Sequence, residues 1–265
     1  MISQVSIIGA GNLTTSLLKA ISRNRHSYKL NIIDINKKKK VIEDKFNVNF
    51  FSAYTDTISK SNLIILMVKP KNYIDAIAQL NPFLSKKMII VSFMAGIKCS
   101  MIRKELKESI PVIRCMSNIT ISDSESYIFY HMKPFTKKVI DQFNKFFNKF
   151  SKIKKCSTEL DIDKITALYG SGPAYYVYFN QIIKDSFIKM GYNGNDATSL
   201  TNDLIQGTSK IIQDNENSND IISAIASEGG TTQAALSELK NNKVDKIVIK
   251  AITKAFNRSK NILKK

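Results

Sequence analysis

Val5-Ser6-Ile7-Ile8-Gly9-Ala10-Gly11-Asn12-Leu13-Thr14 opens the chain and decides how the rest is read. An unbroken apolar run, two glycines one residue apart and then an amphipathic stretch make the pattern of strand, tight turn and helix. Gly9 allows the turn, and Gly11 leaves the backbone bare where a pyrophosphate would approach. The helix that follows would turn its free N–H groups toward that anion. The third position of the motif holds Thr14 instead of Gly or Ala, so the fingerprint is imperfect. An ordinary strand-to-helix turn would also have this form; the flanks and the position near the start of the chain favour a dinucleotide.

Working outward, Leu30–Ile33, Leu63–Val68, Met88–Ser92 and Val112–Ile113 repeat the apolar strand pattern. Amphipathic stretches at 13–21, 71–80 and 100–106 lie between them. Strands alternating with helices predict βαβ units and a parallel sheet buried on both faces. After Thr158 the period changes to that of helices, over 161–190, 197–212, 220–226, 232–239 and 244–263, with no strand candidate. The expected fold is therefore α/β: a Rossmann-like NAD(P)-binding domain over 1–157, then an all-helical domain over 158–265.

Composition narrows the function classes. In 265 residues, 43% hydrophobic side chains in periodic blocks exclude a disordered chain. The longest apolar run, 63–68, is far short of the roughly 20 residues of a membrane span. Cys99, Cys115 and Cys156 lie far apart with no CxxC pair, which suggests neither a disulfide framework nor a thiolate metal site, and no metal is expected. The first residues lack a secretory pattern, so the chain reads as soluble and cytoplasmic. A net charge of +18 raises the question of nucleic acid, but the lysines are scattered. Only Lys37–Lys40 forms a tight run, without aromatics, and no specific nucleic-acid or membrane partner is expected.

Asp34 ends the second strand, 23 residues past Gly11. A carboxylate there would accept hydrogen bonds from the adenosine ribose and repel a 2′-phosphate. Lys37–Lys40 could instead attract that phosphate, so the two features pull in opposite directions.

Five further motifs follow in order: Val68-Lys69-Pro70, Ser92-Phe93-Met94-Ala95-Gly96-Ile97, Arg114-Cys115-Met116-Ser117-Asn118, Gly170-Ser171-Gly172-Pro173-Ala174-Tyr175 and Ser227-Glu228-Gly229-Gly230-Thr231-Thr232. Together they closely resemble pyrroline-5-carboxylate reductases over nearly the whole chain. The resemblance implies NAD(P)H-dependent reduction of 1-pyrroline-5-carboxylate to L-proline, with NADPH the usual cofactor and NADH the alternative. It also implies a homodimer whose active site lies between the nucleotide domain of one subunit and the helical domain of its partner; higher assembly stays open. The apolar helical half, too narrow to bury its own faces, points the same way.

Carried over by position, the resemblance implies that Ile8, Gly9, Ala10, Gly11, Asn12 and Leu13 contact the pyrophosphate and Asp34 the ribose. Met67, Val68, Lys69, Pro70, Phe93, Met94 and Ala95 would line the cofactor cleft, with Asn118 near the nicotinamide. Ser227, Gly229, Gly230, Thr231 and Thr232 would hold the substrate, the Thr232 hydroxyl bonding the ring nitrogen as the catalytic group. For Thr232 alone, an ordinary helix N-cap is the competing reading. Gly170–Pro173 is costly as helix interior and reads as a place of close packing or an interface. His26 and His131 read as surface histidines and Cys115 as a buried inert thiol.

The chain departs from the family pattern at Ser117, Ile119-Thr120, Glu228 and Asn217-Ser218-Asn219, where prolines are usual. These mark a divergent member. The alternatives are a related reductase of another small imine or keto acid, or a nucleotide- or nucleic-acid-binding protein without catalysis.

Overall fold

The structure, a computed structural model, describes residues 2–24, 27–122, 126–133, 136–214 and 217–264. His26 and the first residues of the Asn215–Asn219 turn lie outside them, as do the side chains of Lys38 and Lys39.

Among the described residues eight strands form one sheet: β1 (Gln4–Ile8), β2 (Lys29–Ile33), β3 (Asn49–Phe51), β4 (Leu63–Leu66), β5 (Ile89–Ser92), β6 (Val112–Met116), β7 (Tyr127–His131) and β8 (Lys152–Lys155). Their spatial order is β3-β2-β1-β4-β5-β6-β7-β8. The first six are parallel, β7 runs antiparallel to β6, and β8 is parallel to β7. The order reverses beside β1, which creates a crevice at the carboxyl ends of β1 and β4.

Three of these strands escape the apolar-run pattern. β3 is three residues long, β7 alternates buried and half-exposed positions, and β8 reads Lys-Ile-Lys-Lys. The lysines of β8 suit a sheet edge, where charge discourages pairing with another chain.

Within unbroken apolar strands, alternate residues feed opposite faces. Leu63 and Ile65 of β4 join a core with α1 (Asn12–Ser22), α2 (Val41–Phe46) and α5 (Lys137–Phe147). Ile64 and Leu66 join another with α3 (Tyr73–Leu80) and α4 (Cys99–Glu105). On α5, Phe143 stacks on Phe147 and Phe146 on Phe147, and both Phe146 and Phe147 meet Phe150 just past the helix, at ring separations of 4.7–5.8 Å, an aromatic stripe at helical spacing.

The remaining helices are α6 (Glu159–Ile165), α7 (Gly172–Lys189), α8 (Gly194–Asp214), α9 (Ser218–Ile225), α10 (Thr231–Asn241) and α11 (Val244–Lys260). No strand occurs among the described residues after β8. Thr158 and Asp161 form a reciprocal capping box at the start of α6. Hydrogen bonds from Lys164 and Thr158 hold the Asp161 carboxyl down at about 2. Its folded value is the lower one, so this contribution is present at neutral pH and lost as pH falls through that value.

The chain divides into two compact units, Met1–Ser171 with Ala255–Lys265, and Gly172–Lys254. This division differs from the change of period at 157–158, for a physical reason: α6 packs on β6 and β7, and the end of α11 returns to the sheet unit. There Ile262 joins the α3/α4 core, and Ser259 donates to Asp163 at 2.8 Å.

Gly170–Pro173 is a junction and not helix interior. Thr166–Gly170 is a π-helical turn, closed by Ser171 N donating to Thr166 O at 3.0 Å, and Pro173 falls in the first turn of α7, where it is tolerated. A Cβ on Gly170 would lie 3.2 Å from Met116 Sδ, so the turn is pressed against the end of β6.

Candidate active site

Gly9 takes φ +104, and a Cβ there would sit 2.7 Å from Met67 O. The glycine turn therefore lies directly on the backbone leaving β4. Gly11, as N-cap, brings α1 in behind it with no acidic residue in the first turn to compete for an anion. Thr14 explains how the motif survives without its third glycine: its fully buried hydroxyl donates to Gly9 O at 2.8 Å.

Around this turn opens a cleft of about 790 Å³, walled by Ile8, Gly9, Ala10, Gly11, Asn12, Asp34 and Met67–Lys69 among others. Asp34 accepts from Ala10 N at 2.7 Å and from Asn36 N at 2.8 Å. Tyr54, opposite, has its phenol pushed up to about 12, first by burial and then by the Asp34 charge. It stays protonated and able to donate.

The expected contacts do not all meet here. Leu13 and Phe93 pack in the α1/α5 core and Met94 in the α3/α4 core. Ala95 packs against the small core of Met116, Cys156 and Ile162. Pro70 opens a short 3-10 turn over Pro70–Asn72. Asn118 spends its amide on protein: Nδ2 donates to Tyr169 O at 2.8 Å, and Oδ1 accepts from Thr120 N and Oγ1. It thereby pins the π turn to the exit of β6.

Conversely, the cleft uses residues outside every motif. Asn72, the N-cap of α3, lines it with Asp75 and Gln79, at spacings of three and four on the side away from buried Tyr73, Ile77 and Leu80, and the buried Ala76 borders it. The polar stripe of that helix was the available cue. Tyr54 has no local one.

In the second unit, Gly229 takes φ +67 and Gly230 is the N-cap of α10, so Thr232 is a first-turn residue and not the cap. Gln233 reaches back to accept from Gly229 N at 2.6 Å. The Thr232 hydroxyl is uncommitted among the described residues, and Glu228 is exposed.

The other departures are locally accommodated. Ser117 Oγ donates to Tyr127 O at 2.8 Å, and Asn217 caps α9. His131 is half-buried on β7, its Nδ1 3.3 Å from Cys156 O, and so is not a surface histidine. Cys115 is fully buried, and burial pushes its thiol well above the usual range.

A reversed-order parallel sheet with a glycine turn, a helix N-terminus and an acid just past β2 defines a Rossmann-type dinucleotide-binding fold. Two family models match: one described as pyrroline-5-carboxylate reductase dimerisation over residues 159–262, and one described as NADP oxidoreductase coenzyme F420-dependent over 4–96. The chain is 25% identical to the pyrroline-5-carboxylate reductase of Pseudomonas aeruginosa over 97% of its length and 95% of that protein. It is 29% identical to that of Staphylococcus aureus, covering 95% and 94%. The fold matches Plasmodium falciparum pyrroline carboxylate reductase, solved with NADP bound, at TM-score 0.86 and 22% identity over 98% and 97% of the chains. Over nearly its whole length the chain is thus similar to pyrroline-5-carboxylate reductases, and its helical part matches the model of their dimerisation domain.

Proposed function

We infer that this protein is an NAD(P)H-dependent reductase that converts 1-pyrroline-5-carboxylate to L-proline, the last step of proline biosynthesis. The observation that carries this is similarity to named pyrroline-5-carboxylate reductases over 95–97% of the chain. The expected result is oxidation of reduced nicotinamide matched one-to-one by proline formed; purified protein that turns over neither NADH nor NADPH with this substrate would refute it.

A bound reduced nicotinamide supplies the hydride; no covalent nucleophile is required of the protein. The chain's task is to bind, orient and place one proton. Gly9–Leu13 hold the pyrophosphate at the start of α1, and Met67–Pro70, Phe93–Ala95 and Asn118 shape the approach to the nicotinamide. The first-turn N–H groups of Thr231 and Thr232 take the substrate carboxylate at the start of α10, while Gly229 and Gly230, whose own N–H groups go to Gln233 Oε1 and Ser227 O, shape the turn with Ser227 beside them. Thr232 Oγ1 hydrogen-bonds the ring nitrogen, which must carry a proton as the imine carbon accepts hydride. Thr232→Ala removes that bond. We expect kcat to fall roughly 10- to 100-fold, the range for a hydrogen bond to a charged group. Nucleotide affinity, set in the other unit, should hold in equilibrium titration. A collapse of nucleotide binding would contradict the assignment.

For the cofactor we propose NADH over the NADPH that the family resemblance implies. Asp34 lines the cleft, whereas Lys37 and Lys40 are exposed and do not. A carboxylate beside a 2′-phosphate is worth about a tenfold preference for NADH in kcat/KM. Equal or higher efficiency with NADPH would overturn this choice.

The helical unit supports self-association as a homodimer. Tyr176, Val177 and Tyr178 on α7 and Ile249 on α11 are each more than 60% exposed, an apolar surface larger than scattered single residues would make. No helix among the described residues is long and apolar enough to cross a membrane. We assign the enzyme to the cytoplasm, consistent with three unpaired buried cysteines.

A further inference from the structure

An acid at the end of β2 is ordinarily read as a ribose ligand alone, but here its two oxygens are already in use. Oδ2 accepts from Ala10 N, the residue between the two glycines, at 2.7 Å. Oδ1 accepts from Asn36 N in the turn leaving β2 at 2.8 Å. Ala10 is 1% exposed, so no water replaces the carboxylate there. The same turn is held on its other sides by Gly9 N donating to Ile33 O at 2.8 Å and by Thr14 Oγ1 donating to Gly9 O. The link to Asp34 is the only one of these made by a charged group, and charge-assisted hydrogen bonds are the stronger kind.

We propose that Asp34 is a positioning residue for the phosphate turn: by holding the Ala10 and Asn36 N–H groups, its carboxylate preforms the glycine loop before any nucleotide arrives. The proposal rests on reading the cleft as the dinucleotide site. Each carboxylate oxygen keeps a second lone pair, so ribose hydroxyls can still be accepted once the loop is set. Asp34 thus acts on the whole dinucleotide and not on its adenosine half alone. Preorganisation lowers the cost of binding for any ligand that needs the ordered loop.

The test compares ADP-ribose with nicotinamide mononucleotide, which has a phosphate but no adenosine ribose. In NMR titrations of the intact protein, Asp34→Ala should weaken both ligands, each about tenfold. Exchange of the Ala10 amide hydrogen in the nucleotide-free protein should become faster. Loss of ADP-ribose affinity with nicotinamide mononucleotide unchanged would overturn the proposal and leave Asp34 as a ribose ligand only. Wild-type protein that binds neither ligand would instead overturn the cofactor reading, and the proposal with it. Asp34→Asn, which keeps one acceptor in nearly the same shape, covers the case in which the alanine variant does not fold: a smaller loss for both ligands supports the latch, and a loss for ADP-ribose alone overturns it.

Discussion

Asp163→Ala is expected to destabilise the protein by about 3–5 kcal/mol, the usual cost of leaving a buried charge without its partner. Arg114, in the middle of β6, is fully buried. Its Nη2 lies 2.6 Å from Asp163 Oδ1 and its Nη1 3.4 Å from Oδ2. Little else could take over. Glu159 Oε1 is 3.8 Å from Nη1 and already accepts from Cys99 N at 2.6 Å, while Arg114 Nε has no partner among the described residues. Removing Asp163 also strands the Ser259 hydroxyl, which ties the end of α11 to the sheet unit. Urea denaturation read by circular dichroism checks this, and a loss under about 1 kcal/mol would mean that water reaches the pair. Replacing Arg114 and Asp163 together by apolar residues of similar volume should recover much of the loss, because the cost lies in the orphaned charge and not in the absence of the pair.

Gly9→Ala is expected to cut affinity for either nicotinamide dinucleotide by about 100-fold or more while leaving the far end of the sheet intact. Two effects combine at this position. The backbone sits at φ +104, which side-chain-bearing residues rarely adopt, at a cost of order 1–3 kcal/mol. The added methyl would also lie 2.7 Å from Met67 O and 2.9 Å from its carbonyl carbon, rigid backbone that cannot rotate away. Relief requires the turn to lift off β4, which withdraws Ala10 from Asp34 and tilts the start of α1. Fluorescence titration with NADH measures the loss. Gly11→Ala is the control, since a Cβ there meets nothing within 4 Å in the nucleotide-free protein; any loss it causes reports contact with the ligand itself. Equal binding by wild type and Gly9→Ala would remove the glycine turn from the site.

The sequence made the buried parallel strands legible because each is a run of adjacent apolar residues, a pattern that only burial on both faces explains. It hid β7 and β8 because an antiparallel addition at a sheet edge does not need such a run; Lys152-Ile153-Lys154-Lys155 carries a single apolar residue. The glycine turn was legible through Gly9 and Gly11, and at Gly9 a side chain would have no room against Met67 O. The far wall was not, since Asn72, Asp75 and Gln79 look like any solvated helix face until the fold turns them toward Asp34. Phe93, Met94 and Asn118 show the reverse case. Their motif spacing was plain, yet the structure commits their side chains to the core and to the π turn. What such residues offer a ligand is backbone and shape, which residue identity alone does not reveal. The helical unit was readable as helices, but Thr232 became distinct from a cap only once Gly230 was seen to occupy that position.

The most direct test of the account follows one hydrogen. Protein supplied with 1-pyrroline-5-carboxylate and NADH deuterated at the transferred C4 position should release L-proline carrying a single deuterium on the ring carbon that was the imine carbon, read by mass spectrometry. Proline without the label, or oxidation of the cofactor with no proline formed, would contradict it.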